Sequence, residues 1–181
     1  GITDWVYEEE FAFVRAFDWN ADGDKIAYIR FDESEVPEFS MDVFGNELYP
    51  SKDTFKYPKA GETNATVSLH IYDVASTETK AVDLSGFQNY YIPRLEWTPE
   101  ANVLAVQTTN RKQNDINLLF VDGTSAEAKL ILSDKDDAYV DVTDNLTFLE
   151  DNDFIWTSEK DGWNHIYLYD KNGKLKNQVT Q

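Results

Sequence analysis

The feature that most constrains the fold is a motif that recurs along the chain. The copies are Phe17–Tyr28, Leu95–Val106 and, more loosely, Leu146–Trp156. After each copy an alternating apolar strand ends on an aspartate, at Asp73, Asp122 and Asp170, which lie 49 and 48 residues apart. A repeat just under fifty residues long that holds four strands is typical of a β-propeller blade.

Short segments rich in Val, Ile, Tyr and Phe alternate with turn signals throughout the chain, which predicts an all-β protein. The turn dipeptides are Asp22-Gly23, Asp122-Gly123 and Asn172-Gly173. The predicted strands are Lys25–Phe31, Ser68–Val74, Lys80–Leu84, Tyr90–Trp97, Val103–Thr108, Ile116–Val121, Lys129–Leu132, Phe154–Thr157 and His165–Tyr169. The fold class is therefore predicted as a partial β-propeller of about three four-stranded blades.

We expect residues 1–181 to form a single propeller fragment. Its predicted parts are a short helical segment over residues 1–15 and blades over residues 16–85, 89–134 and 139–181. The first blade carries an insertion over residues 32–66, because its motif tryptophan lies much farther from its closing aspartate than in the second blade. A ring of three blades would have unpaired edges, and the chain opens inside a motif, so we expect an excerpt of a longer protein.

The charge of the chain excludes several classes of partner. The formal net charge is −18, from 34 acidic and 16 basic residues. No basic stripe could follow a phosphate backbone, so nucleic-acid binding is disfavoured, and an anionic membrane surface would repel the chain. No apolar run is long enough for membrane insertion. A cationic ligand or the amino terminus of a peptide suits this field better.

Candidate metal and catalytic sites are weak. Asp18, Asn20 and Asp22 resemble the first half of a calcium loop, but Ile29 occupies the position of the required bidentate glutamate, so a blade hairpin is favoured. His70 and His165 lie in separate strands without a second ligand at metal-site spacing, and the chain has no cysteine, so a structural role is favoured for both. Neither a Gly-x-Ser-x-Gly elbow nor a plausible Ser/His/Asp set occurs, and we expect no cofactor and no catalytic residue in this chain.

The three consecutive carboxylates Glu8, Glu9 and Glu10 remain to be explained. An exposed acidic run is the simpler interpretation in so acidic a chain. Apolar residues on both sides of the run favour burial of the segment and thereby a fixed position for the carboxylates. Two of them could then hold an ammonium group, but composition alone leaves both interpretations open.

Four segments of the chain resemble the dipeptidyl peptidase IV family of serine exopeptidases, most closely its bacterial branch. These segments are Asp4–Glu10, Phe31–Pro37, Tyr57–Asn64 and Thr157–His165. The resemblance implies an eight-bladed propeller joined to an α/β-hydrolase domain that supplies Ser, Asp and His. It also implies a periplasmic, cell-envelope or secreted location and a possible homodimer of the parent protein.

In that family, paired glutamates on a short helix bind the α-ammonium of a peptide, so that cleavage follows its second residue, commonly Pro or Ala. By motif position the pair is Glu9 and Glu10, and Glu8 is less suited to touch the substrate. An aromatic-arginine pair lines an extended subsite in some relatives. The stretch from Tyr139 to Val142 has the aromatic residue but no arginine.

The leading hypothesis is therefore a propeller fragment that recognises the substrate N-terminus and gates access in such an exopeptidase. Two alternatives stay open. One is a catalytically inactive relative whose propeller binds a protein partner, and the other is an exopeptidase that releases tripeptides.

Overall fold

The computed structural model describes residues 4–87 and 90–181 and shows three four-stranded antiparallel sheets in chain order. A helix, α1 (Trp5–Phe11), precedes them. The first blade has the strand order β1-β2-β5-β6. Its strands are β1 (Phe17–Trp19), β2 (Lys25–Asp32), β5 (Thr66–Asp73) and β6 (Glu78–Ala81).

The second and third blades are uninterrupted meanders in which each strand pairs with the next. The second consists of β7 (Tyr91–Trp97), β8 (Val103–Thr109), β9 (Asp115–Asp122) and β10 (Ala128–Lys135). The third consists of β11 (Thr147–Phe148), β12 (Phe154–Ser158), β13 (His165–Tyr169) and β14 (Leu175–Gln178). The predicted fold class, an all-β partial propeller with three four-stranded blades, is confirmed.

A two-stranded hairpin stands apart from the blades. Its strands, β3 (Glu38–Val43) and β4 (Ser51–Lys56), pair only with each other and lie between β2 and β5 in the chain. The ring of Trp5 on α1 stacks on Phe55 at a centroid distance of 5.9 Å and meets Tyr57 edge-on at 4.9 Å. The base of the hairpin therefore packs against the start of the helix.

The core lies in two layers, one on each face of the second blade. Leu119 and Val121 of β9 belong to the layer shared with the first blade and α1, whereas Ile116 and Leu118 belong to the layer shared with the third blade. Successive side chains of a strand point to opposite faces, so a blade covered on both sides buries nearly every residue. This explains why β8 and β9 contain uninterrupted apolar runs, Val103–Val106 and Leu118–Val121, rather than an alternating pattern throughout.

Tryptophan side chains connect neighbouring blades. The indole Nε1 of Trp97 donates to the carbonyl oxygen of Asp18 at 3.1 Å, which ties the second blade to the first. The indole Nε1 of Trp156 donates to the buried Asp134 carboxylate at 3.0 Å, which ties the third blade to the second. Indole N–H groups removed from solvent need a hydrogen-bond acceptor, and these bonds supply one across each blade boundary.

Sequence and structure differ in several details. Strands β1, β3, β4, β11 and β14 were not among the predicted strands, and the strand predicted at Lys80–Leu84 is Glu78–Ala81. Although tryptophan is a large apolar residue, Trp163 in the β12–β13 turn is 75% exposed. Residues 1–3 of the predicted helical segment and residue 89, the predicted start of the second blade, lie outside the described residues.

None of the helical structure within residues 4–87 and 90–181 has the length and apolar character needed to cross a bilayer.

Candidate functional site

The three glutamates lie on a short helix whose two ends are both fixed. The side chain of Asp4 caps the N-terminus, with its Oδ1 accepting from the Tyr7 backbone N–H at 3.0 Å. Ala12 ends the helix in the left-handed region at φ 49°, and the Phe13 N–H donates to the Tyr7 carbonyl at 2.9 Å. A left-handed residue commonly ends a helix, and here an alanine takes the place of the usual glycine.

Tyr7 anchors the helix in the core. Its side chain is 1% exposed, and its hydroxyl oxygen accepts from the Ile92 backbone N–H of β7 at 2.8 Å. Burial raises the pKa of this hydroxyl far above its usual range, so it stays protonated. The apolar side of α1 therefore docks at the junction of the first two blades, and the adjacent glutamates are left exposed.

Arg94 holds the far end of the helix. Its Nη1 donates to the carbonyl oxygen of Phe11 at 2.9 Å, which satisfies one of the free carbonyls at the helix end. Its Nε lies 2.6 Å from the Asp144 carboxylate, in the segment that leads to the third blade. One guanidinium thus connects α1, the second blade and the approach to the third.

The glutamates differ in their contacts. The Oε1 of Glu10 accepts a hydrogen bond from the Gln113 side-chain amide at 2.6 Å. Within the described part of the chain, the side chains of Glu8 and Glu9 make no hydrogen bond, and no lysine or arginine forms a salt bridge with any of the three. The three glutamates are thus consecutive on the helix, and no lysine or arginine among the described residues neutralises their carboxylates.

Two tyrosines border Glu10. The Tyr139 hydroxyl donates to Gln113 Oε1 at 3.3 Å, and burial together with the negative charges of Glu10 and Asp141 raises the pKa of Tyr139. Burial also raises the pKa of Tyr91, whose hydroxyl accepts from the Asn64 amide at 2.6 Å. Both hydroxyls therefore stay protonated around neutral pH.

Tyr139 also belongs to a groove of about 400 Å³ between the second and third blades. The groove is lined by the segment that follows β10 and by the β12–β13 turn, including Lys160 and Asn164. Hydrogen bonds therefore link Glu10 through Gln113 to Tyr139, which lines this groove. The sequence interpretation identified Glu9, Glu10 and the Tyr139 segment, but not Gln113.

The weak metal candidates have protein partners. The Asn20 Oδ1 accepts from the backbone N–H groups of Asp24 and Lys25 at 3.0 and 2.9 Å, as in a hairpin turn. His70 stacks on Tyr28 and lies 2.9 Å from the Ser68 hydroxyl, and His165 lies 3.0 Å from the Thr180 hydroxyl. No group of three or more His, Asp or Glu side chains arranged to hold a metal ion occurs in residues 4–87 and 90–181.

Comparisons with known proteins agree with this architecture. The family model described as "Dipeptidyl peptidase IV (DPP IV) N-terminal region" matches residues 1–181. The crystal structure of Porphyromonas gingivalis dipeptidyl peptidase 4 superposes with a TM-score of 0.94 at 47% identity, covering 100% of this chain and 26% of that one. This match fits the bacterial branch indicated by the sequence motifs.

Curated relatives extend the match. A probable dipeptidyl-aminopeptidase B of Emericella nidulans is 38% identical over 168 residues, covering 82% of this chain and 18% of that protein. Dipeptidyl peptidase 4 of Trichophyton equinum is 29% identical over 195 residues, covering 100% of this chain and 25% of that protein. The chain thus spans a quarter or less of the length of these curated relatives, and it belongs to the dipeptidyl peptidase IV family as part of its N-terminal region.

Proposed function

We propose that this chain is the substrate-gating and N-terminus-recognising propeller part of a serine exopeptidase that releases X-Pro and X-Ala dipeptides. In this proposal Glu9 and Glu10 bind the α-ammonium group of the peptide. The observation that carries it is the state of these glutamates: they are consecutive, exposed residues of an anchored helix, and Glu10 is held by a neutral amide rather than by a cation.

Electrostatics favours a cation at this position. An ammonium group about 4 Å from a carboxylate gains about 4 kcal/mol at an effective dielectric constant of about 20, before desolvation is subtracted. The net charge of −18 adds an attractive field for a positively charged peptide terminus. No lysine or arginine of the described residues pairs with the glutamates, so none of these side chains competes with the ammonium group of the substrate.

The chemical step belongs to the rest of the protein. In the proposal an α/β-hydrolase domain outside these residues supplies the Ser, Asp and His. Further blades outside these residues complete an eight-bladed propeller of which this chain forms a part. A terminus held at a fixed distance from a nucleophile selects which peptide bond is attacked, because positioning lowers the entropic part of the barrier. The glutamate helix would thereby act as a length gauge.

The test uses the full-length protein and X-Pro chromogenic substrates. Replacement of Glu9 or Glu10 by Ala should each lower kcat/KM by about 10- to 100-fold, because one charge-assisted contact of about 1.5–3 kcal/mol is lost. Glu8→Ala is the matched control, with the same charge on the same helix, and should stay within about twofold of the unaltered protein. Unchanged kcat/KM in both Glu9→Ala and Glu10→Ala would contradict the proposal.

The parent protein is further proposed to form a homodimer and to reside in the periplasm, at the cell envelope or outside the cell. The β3–β4 hairpin supports the first part, since Phe44, Leu48 and Tyr49 are largely exposed apolar side chains near its tip. Light scattering on the full-length protein should give twice the monomer mass, and a monomer mass would contradict it. Fractionation of the source cells would locate the protein.

A further inference from the structure

We infer that Gln113 is a positioning residue that fixes the Glu10 carboxylate for the substrate ammonium group. This inference rests on the proposed function of Glu10. Gln113 lies in the turn between β8 and β9, 103 residues away from Glu10 in the chain, and its amide Nε2 donates to Glu10 Oε1 at 2.6 Å. A hydrogen bond to an ionised acceptor at this distance is among the stronger ones in proteins.

The chemistry of its two partners fixes the orientation of the Gln113 amide. The Glu10 carboxylate can only accept, so it must face the NH₂ group. The amide oxygen then faces the Tyr139 hydroxyl, which donates to it at 3.3 Å. Rotating the amide by half a turn would bring its oxygen, an acceptor, against the Glu10 carboxylate, which is also an acceptor. The hydrogen bonds therefore run in one direction, with Tyr139 donating to Gln113 and Gln113 donating to Glu10.

The backbone of Gln113 is held in an unfavourable conformation that aims its side chain. Its φ is +54°, in the left-handed region that glycine and asparagine occupy more easily. Two bonds maintain it: the Gln113 N–H donates to the Asn110 carbonyl at 3.0 Å, and the Val140 N–H donates to the Gln113 carbonyl at 2.9 Å. Backbone strain of this kind concentrates where a side chain must be placed accurately.

The hydrogen bond from Gln113 gives Glu10 a fixed orientation that Glu9 lacks. Glu10 is oriented before substrate arrives, whereas Glu9 has no side-chain partner among the described residues and can follow the ligand. A neutral donor is suited to this role, since a lysine or arginine at position 113 would neutralise Glu10 and compete with the ammonium group. Because the Glu10 side chain is already ordered, less side-chain conformational entropy is lost when the substrate binds.

The test measures KM and kcat of the full-length protein with Gln113→Asn and Gln113→Gly. Asparagine keeps the amide and tolerates the left-handed backbone but is one methylene shorter, and glycine relieves the backbone while removing the side chain. Each should lower kcat/KM by about 3- to 10-fold, mainly through KM, with the melting temperature of Gln113→Gly unchanged or raised. Gln178→Ala is the matched control, because Gln178 donates to the Asp161 carboxylate at 2.8 Å away from the helix, and it should change kcat/KM by less than twofold.

A double-mutant cycle separates this inference from the proposed function. Gln113→Asn should have less than a twofold effect when added to Glu10→Ala but should keep its full effect when added to Glu9→Ala. If Glu10→Ala leaves kcat/KM unchanged, the proposed function itself fails. If Glu10→Ala lowers kcat/KM but the Gln113 variants do not, or if their effect persists in the Glu10→Ala background, Gln113 does not act through Glu10 and the inference is overturned.

Discussion

Replacement of Tyr7 by Ala is expected to lower the free energy of unfolding of the chain by about 3–5 kcal/mol, the range for truncating a large buried aromatic side chain. The ring meets Phe31 edge-on at a centroid distance of 4.8 Å and Phe11 at 5.4 Å. The substitution would leave a cavity between these rings and remove the acceptor of the Ile92 N–H. Urea unfolding followed by tryptophan fluorescence measures the change.

The variant Tyr7→Phe separates the contribution of ring packing from that of the hydroxyl hydrogen bond. It keeps the ring in place and removes only the hydroxyl, so the buried Ile92 N–H loses its acceptor at a cost of about 1–3 kcal/mol. In the full-length protein the Ala variant should also lose substrate affinity, because α1 carries Glu9 and Glu10. A loss below about 1 kcal/mol in the Ala variant would show that Tyr7 does not anchor the helix.

The second large effect is expected in the other layer of the core, where Phe154→Ala should also cost about 3–5 kcal/mol. Phe154 of β12 is 0% exposed and stacks nearly parallel to Tyr169, at a centroid distance of 5.4 Å and an angle of 10°. It also meets Phe120 of the second blade at 6.2 Å. Phe154→Leu fills most of the space and should cost less than half as much.

The two layers are separated by the second blade, so the losses of Tyr7→Ala and Phe154→Ala should add within about 0.5 kcal/mol in the double variant. Substrate affinity distinguishes the two, since Tyr7 belongs to the helix that carries the glutamates and Phe154 belongs to the third blade. A Phe154→Ala variant that lost as much affinity as Tyr7→Ala would indicate that the layers are coupled.

The fold could be predicted because the blade repeat is visible in the apolar pattern. Strands such as β8 and β9 bury most of their side chains and stand out clearly from the turns. Strands β3, β4 and β14 are largely exposed, so they lack the alternation by which a half-buried strand is recognised. Strand β11 has only two residues, too few to show any period.

The candidate site was only partly predictable. Glu9 and Glu10 stand in a recognisable motif, but no local pattern connects Gln113 to a residue 103 positions earlier. The end of the helix was equally hidden, because Ala12 takes the left-handed conformation that a glycine would have signalled. The hydrogen bonds that link Glu10 to Gln113 and Gln113 to Tyr139 are tertiary contacts, which no local sequence pattern reveals.

The hydrogen bond between the Ile92 N–H and the Tyr7 hydroxyl also bears on the order in which parts of the chain fold during translation. The two partners are 85 residues apart, so the glutamate helix cannot dock when it leaves the ribosome. At about 5–20 residues per second, roughly 4 to 17 s pass before β7 has been synthesised. Within these residues the glutamate helix is thus made well before the strand that it docks on, and its aromatic side chains depend on other protection until the second blade appears.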